Sequence, residues 1–193
     1  KLTEKNVAFT WTPECQDAFD VLKQALVSAP VLAYPNFDGS FILDTDASNV
    51  GIGFILSQEI GGKEQVIAYG SRTLSKQERN YCVTRRELLA VVQGVQHFRH
   101  FLLGKKFLIR TDHGSLTWLM RFKEPEGQVA RWLEALSAYE FDIRHRPGSK
   151  HGNADALSRL PCRQCKRVDV CTITVQSTLE QAQKRELGGI YQA

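Results

Sequence analysis

The block between residues 40 and 103 constrains the fold most. Three short runs rich in strand formers, Phe41-Ile42-Leu43, Gly51 to Leu56 and Gln65 to Tyr69, are separated by connections short enough to predict antiparallel hairpins. One long amphipathic pattern over 80–103 follows. In it Tyr81, Leu88, Val91, Val92, Val95, Phe98 and Leu102 fall along a single helical stripe. A meander and a helix of this kind bury their apolar faces by packing on each other. Further on come a fourth strand at 107–110, helices at about 114–121 and 127–138, a fifth strand at 139–143 and a short helix at 153–160. The order βββ-α-β-α-α-β-α predicts an α/β (α+β) fold, a five-stranded mixed sheet with flanking helices.

The flanks read differently. Thr12-Pro13-Glu14 is a helix start, with Thr as N-cap and Pro at the first helical position. Apolar residues follow it at helical spacing to Leu26, and Pro30 is a stop. Residues 1–39 are therefore expected to be a lead-in and 40–161 the folded domain. Residues 162–193, where periodicity is lost, are expected to be a linker. At 193 residues the chain fits one domain with short flanks. Its longest apolar runs, such as Leu88 to Val92, are far short of the ~20 residues a membrane span needs, so no membrane partner is expected. The N-terminus carries no signal-peptide pattern, so the chain is expected to start in the cytosol or to be cut from a longer precursor.

Cys15 and Cys82 lie in helical patterns and are expected to be buried thiols. Cys162 and Cys165 form a CxxC with Cys171 beyond, one ligand short of a structural zinc site. Reduced thiols in an intracellular compartment fit this usage. Net charge is only +4, but between Arg144 and Arg167 seven Lys or Arg face one acid. A basic segment of that kind suits a phosphate backbone.

Four carboxylates sit where structure alone does not want them: Asp46 at the end of the first strand, Glu87 on the flank of the long helix's apolar stripe, Asp112 at the end of the fourth strand, and Asp155 in the first turn of the last helix. Each has a structural explanation. Asp46 can close a turn with Ser48, Glu87 can pair with Arg85 or Arg86, Asp112 can cap a helix, and Asp155 suits a helix dipole. Together they favour another reading. Two strand ends, a helix above the sheet and a nearby helix start can converge on one point, and such a cluster repels itself unless cations fill it. Oxygen-only ligands select magnesium or manganese. Two such ions about 4 Å apart serve in-line phosphodiester cleavage.

These residues resemble a known family. Thr45-Asp46-Ala47-Ser48, Gly51-Ile52-Gly53 and Leu56-Ser57-Gln58 are similar to the opening of the ribonuclease H domain of gypsy-type LTR retrotransposons. Glu87 to Val92, Arg110-Thr111-Asp112-His113, Arg146-Pro147-Gly148 and Asn153 to Arg159 resemble its later motifs, in order and spacing. Residues 9–32 resemble the segment that joins it to the reverse-transcriptase part. The resemblance implies the ribonuclease H-like fold. It implies an endonuclease that hydrolyses the RNA strand of RNA–DNA hybrids during reverse transcription, leaving 3′-hydroxyl and 5′-phosphate ends. It also implies two Mg2+ ions, with Mn2+ as a substitute, held by Asp46, Glu87, Asp112 and Asp155. Asp44 is a rival for the first place because it shares a strand face with Asp46. Family members carry a loop histidine before the last Asp, and His145 and His151 are the candidates here. The implied partners are the hybrid, an upstream polymerase domain and a downstream integrase of the same polyprotein. The implied place is the cytoplasm within a virus-like particle, with the nucleus as a second compartment.

Substrate contacts are expected from backbone N–H groups around Ser48, Gly51 and Gly53, where the glycines leave room for the 2′-hydroxyl. Thr84 and Arg85, one turn before Glu87, are expected on the RNA strand. Arg72, Arg144 and Arg146 are expected on phosphates. The alternative is a module that holds hybrid or scaffolds a polymerase without cleaving. Loss of a carboxylate would mark that state, and all four are present.

Overall fold

A computed structural model describes residues 6–29, 31–119, 126–159 and 171–174. Its elements are α1 (Pro13–Leu26), β1 (Phe41–Ala47), β2 (Gly51–Ile60), β3 (Lys63–Thr73), α2 (Val83–His97), α3 (Arg99–Leu102), β4 (Lys106–Thr111), α4 (Ser115–Leu119), α5 (Gly127–Ser137), β5 (Glu140–His145), α6 (Gly152–Arg159) and β6 (Cys171–Thr174). The sheet runs β5-β4-β1-β2-β3-β6. The β1-β2-β3 meander is antiparallel, while β4 and β5 add in parallel on the other side of β1. This is the expected mixed sheet with flanking helices. The β2–β3 turn falls on Gly61 and Gly62, at φ 61° and 73°, a left-handed conformation that glycine adopts without Cβ strain.

Two features depart from expectation. The long helix starts only at Val83, after a short 3₁₀ turn at Glu78–Asn80, and it breaks at Phe98, where φ is −93° and ψ 20°. A sixth strand, β6, pairs antiparallel with β3 over Ala68 to Ser71, inside the segment expected to be linker. Strand pairing of this kind covers an edge that β3 would otherwise expose, which aperiodic sequence does not announce. The remainder of that segment, with Cys162 and Cys165, lies outside the described residues.

The pleat of β1 and β2 sorts the two faces. Leu43 and Phe54 face α2, close enough that a Cβ on Gly94 would stand 3.2 Å from Phe54 and 3.4 Å from Leu43. With Leu88, Val91, Val92, Val95 and Phe98 they form the core. The opposite face, carrying Asp44, Asp46, Gly51 and Gly53, takes α6. A Cβ on Gly53 would stand 2.7 Å from the Ala154 carbonyl, so glycine is what lets α6 lie on the sheet. The lead-in is less separate than its composition implies. Leu32 is buried and bridges Val66 of β3, whereas α1 buries none of its residues. Cys15 is half-buried and Cys82 exposed, so neither is the buried thiol expected, because α1 lies off the core and Cys82 precedes α2.

Candidate active site

Asp46 comes from the end of β1, Glu87 from the second turn of α2, and Asp112 from just past β4. The parallel pairing of β1 with β4 places the C-terminal ends of both strands side by side, and α2 crosses above them. One carboxylate oxygen from each of the three residues lies within 4.8 Å of the others. Asp46 is 5% exposed and Glu87 4%. Burial, then the neighbouring Asp46 and Asp112, push the Glu87 carboxyl up to about 8. Burial also raises Asp46, opposed by a hydrogen bond from Ser158 and assisted by Asp112 and Asp155.

Glu87 accepts a hydrogen bond from the Ala47 backbone, but its Oε2 is buried with no partner. An unsatisfied carboxylate oxygen in a nest of acids is costly. All donors here are oxygen, the set that hard divalent cations take. The residues therefore fit a magnesium or manganese site.

Asp155 stands apart from this trio. Its Oδ1 accepts from Arg159 Nε at 2.7 Å, one helical turn on, though its charge still reaches Asp46. Asp44 belongs elsewhere. It is fully buried and paired in two prongs with Arg110, at 2.6 and 2.5 Å, with Arg146 at 3.2 Å and Asn153 at 3.4 Å. Asp44 thus neutralises cations beneath the site, whereas Asp46 is the acid of β1 that meets Glu87 and Asp112.

The histidines differ as sharply. His145 is exposed, its Nε2 2.9 Å from the Asp112 carbonyl. His151 is 1% exposed, its Nε2 2.9 Å from the Thr45 carbonyl and its Nδ1 3.8 Å from Asp44. His151 is therefore a wedge between the last loop and β1, and His145 lies at the exposed edge against the Asp112 backbone.

Several expected substrate contacts are used internally. Arg72 is buried and holds Glu78 with two hydrogen bonds of 3.0 Å, which withdraws it from any phosphate. Arg146 turns inward to Asp44, while Arg144 is exposed on β5. The Ser48 hydroxyl donates to the Ser158 carbonyl at 2.7 Å and accepts from the Val50 and Gly51 amides. The room left by Gly51 and Gly53 is filled by α6, so these residues pack a helix and do not open a groove. Thr84 Oγ1 is 2.9 Å from His113 Nε2, and Arg85 stacks over Tyr81 at 4.5 Å and reaches Gln128 at 2.7 Å.

The acid site has supports that sequence reasoning missed. Arg86 ties the β1–β2 loop by bonds of 3.0 Å to the Ser48 carbonyl and 2.5 Å to Asn49 Oδ1. Ser158 donates to Asp46 Oδ2 at 2.5 Å. The signal for Ser158 was its spacing three residues after Asp155, on one face of a helix.

Comparison with known proteins agrees with this geometry. A family model described as the RNase H-like domain found in reverse transcriptase matches residues 11–109. The chain is 36% identical over 184 residues to the retrovirus-related Pol polyprotein from transposon 412 of Drosophila melanogaster, covering 95% of this chain and 15% of that protein. It is 40% identical over 164 residues to the Tf2-3 transposon polyprotein of Schizosaccharomyces pombe, covering 82% of the chain and 12% of the polyprotein. The chain therefore spans a small part of these relatives. Among solved structures, a foamy viral protease-reverse transcriptase bound to double-stranded DNA superposes with a TM-score of 0.57 at 15% identity, covering 75% of this chain and 28% of that one. LC11-RNase H1 in complex with an RNA/DNA hybrid superposes with a TM-score of 0.50 at 18% identity, covering 61% and 93%. These two likenesses concern the fold, the ribonuclease H-like one. With the acid trio at the strand ends and the family match over residues 11–109, the chain belongs to the RNase H-like domains of reverse transcriptases carried in retrotransposon Pol polyproteins.

Proposed function

We propose that the chain is a metal-dependent endoribonuclease that hydrolyses the RNA strand of RNA–DNA hybrids, leaving 3′-hydroxyl and 5′-phosphate ends. One observation carries the reading: carboxylates from two strand ends and a helix meet within 4.8 Å, with the Glu87 Oε2 buried and unpartnered. Asp46, Glu87 and Asp112 would hold Mg2+ or Mn2+, and Asp155, whose charge reaches Asp46, would complete a second position once released from Arg159. Cations held there would supply activation of the attacking water and charge stabilisation at the leaving 3′ oxygen.

The chain's own groups do the rest. Glu87 gives up its proton as the site fills, because its pKa of about 8 reflects burial beside two acids. His145 stands against the Asp112 backbone at the exposed edge, placed to exchange protons with solvent. Thr84, His113 and Arg85 line the approach and would meet the RNA strand, where a 2′-hydroxyl distinguishes RNA from DNA. Arg144, exposed on β5, would meet phosphate. In its parent polyprotein the domain would work between polymerase and integrase parts, in the cytoplasm within a virus-like particle or in the nucleus.

A duplex with the RNA strand labelled at one end and the DNA strand at the other tests the reading. Cutting of RNA alone, dependent on Mg2+ or Mn2+ and abolished by EDTA, is expected. Binding without cutting would support the non-catalytic alternative.

A further inference from the structure

We propose that Ser158 is a positioning residue for the Asp46 carboxylate and thereby sets the affinity of the cation site. The inference rests on the metal-dependent reading above. Ser158 is fully buried, and its hydroxyl lies 2.5 Å from Asp46 Oδ2 and 2.9 Å from the Asp155 carbonyl. A hydroxyl has one proton to give, and an ionised carboxylate is the stronger acceptor. Asp112 and Asp155 both repel Asp46, and a carboxylate so placed turns away unless a donor holds it. Ser158 supplies that donor from the side opposite the helix of Glu87, since α6 and α2 pack on different faces of the sheet.

The donor itself cannot drift. Ser158 offers its carbonyl to the Ser48 hydroxyl at 2.7 Å. Its backbone presses on β2 so closely that a Cβ on Gly51 would lie 2.7 Å from Ser158 O, and one on Gly53 2.8 Å from Ser158 N. Three constraints therefore converge on one hydroxyl: a hydrogen bond from the β1–β2 loop, backbone contact with two glycines, and the helix that also carries Asp155. Ser158 links the acid on β1 to the acid on α6 and holds the first in one orientation.

Calorimetric titration of Mn2+ into the full chain tests this, with Ser158→Ala, Ser57→Ala and Asp46→Asn beside the wild type. Ser57 is also fully buried, and its hydroxyl bonds Glu64 at 3.4 Å, away from the acids. Ser158→Ala should weaken Mn2+ about ten-fold, the usual cost of removing a partner of a metal ligand. Ser57→Ala should lower the thermal midpoint as Ser158→Ala does, since both remove a fully buried hydroxyl, and leave Mn2+ affinity unchanged. Ser158→Cys, of similar size but a weak donor, should follow Ser158→Ala. In hybrid cleavage Ser158→Ala should lower kcat and leave KM for the hybrid in place. Wild-type Mn2+ affinity in Ser158→Ala, beside loss in Asp46→Asn, would overturn the role of Ser158 alone. Equal weakening in Ser57→Ala would reduce it to a packing effect. Failure of the wild type to bind Mn2+, or unchanged binding in Asp46→Asn, would overturn the cation site and this proposal with it.

Discussion

Asp44 and Asp46 stand on the same face of β1, and the structure gives them opposite surroundings. Asp44 is clasped by Arg110 at 2.6 and 2.5 Å and touched by Arg146 at 3.2 Å. Asp46 faces Glu87 and Asp112, with a single hydroxyl from Ser158 against them. One carboxylate is neutralised to hold the fold; the other is left in a field that a divalent cation would relieve. The division comes from the neighbours. Arg110 lies opposite Asp44 in the β1–β4 register, whereas Asp46 reaches past the end of that pairing.

Removing the frustrated charges should separate stability from activity. Asp46→Asn removes an acid set against Asp112 and Asp155, and Glu87→Gln removes the cost of keeping protonated a carboxyl that the unfolded chain ionises; both keep the side-chain shape and should raise the thermal midpoint of the metal-free protein near neutral pH. Both should lose at least about 100-fold in hybrid cleavage, equivalent to about 2.7 kcal/mol of transition-state stabilisation. Thermal denaturation and single-turnover cleavage check the two halves. A variant that cleaves at the parent rate would remove its residue from the site.

Glu87 also predicts a pH dependence. Its folded pKa is raised from 4.5 to about 8, so between those values the folded state keeps a proton that the unfolded chain releases. The stability this contributes is fully present below 4.5 and is lost as pH rises through about 8. The midpoint of the metal-free wild type should fall over that window relative to Glu87→Gln. Cation affinity should run the other way, rising with pH and levelling off near 8, because binding displaces the proton. Calorimetry in buffers of different ionisation enthalpy would count it.

The Asp44 cluster should behave as structure. Asp44→Asn takes the charge from a fully buried partner of half-buried Arg110, which keeps Glu64 at 2.6 and 2.8 Å, and should cost about 1.5–3 kcal/mol, the range of hydrogen bonds to charged groups. Arg146→Ala, at a half-buried group, should cost about 1 kcal/mol. Urea unfolding measures both. The ranking is the test, and a larger loss in Arg146→Ala would contradict it.

Much of this was legible in the sequence because local pattern and tertiary need agree there. The strand-forming run of β2, the stripe on α2 and the N-cap of α1 each predict the element that forms. The four acids announce themselves by position, and three of them meet. What escaped notice depends on partners far along the chain. Nothing near Ser48 or Gly53 shows that α6 will cover them, about a hundred residues later. His145 and His151 look equivalent in sequence. Only the packing of the last loop on β1 buries one and exposes the other.

That packing gives another prediction. Gly53→Ala places a Cβ 2.7 Å from both the Ala154 carbonyl and the Leu157 Cβ, so α6 must move away from β2. A cost of about 1–3 kcal/mol is expected from such overpacking. Because α6 carries both Asp155 and Ser158, cleavage should fall along with the urea midpoint. Full activity in Gly53→Ala would show that the site tolerates displacement of α6.

The most direct measurement is the Mg2+-dependent cleavage rate of the RNA strand in a labelled RNA–DNA hybrid, for wild type and Asp46→Asn side by side. Cutting of the RNA strand alone by the wild type, abolished by EDTA and lost in Asp46→Asn, is the predicted result. Metal-independent cutting, or equal rates in the two proteins, would contradict the claim that the clustered carboxylates carry the chemistry.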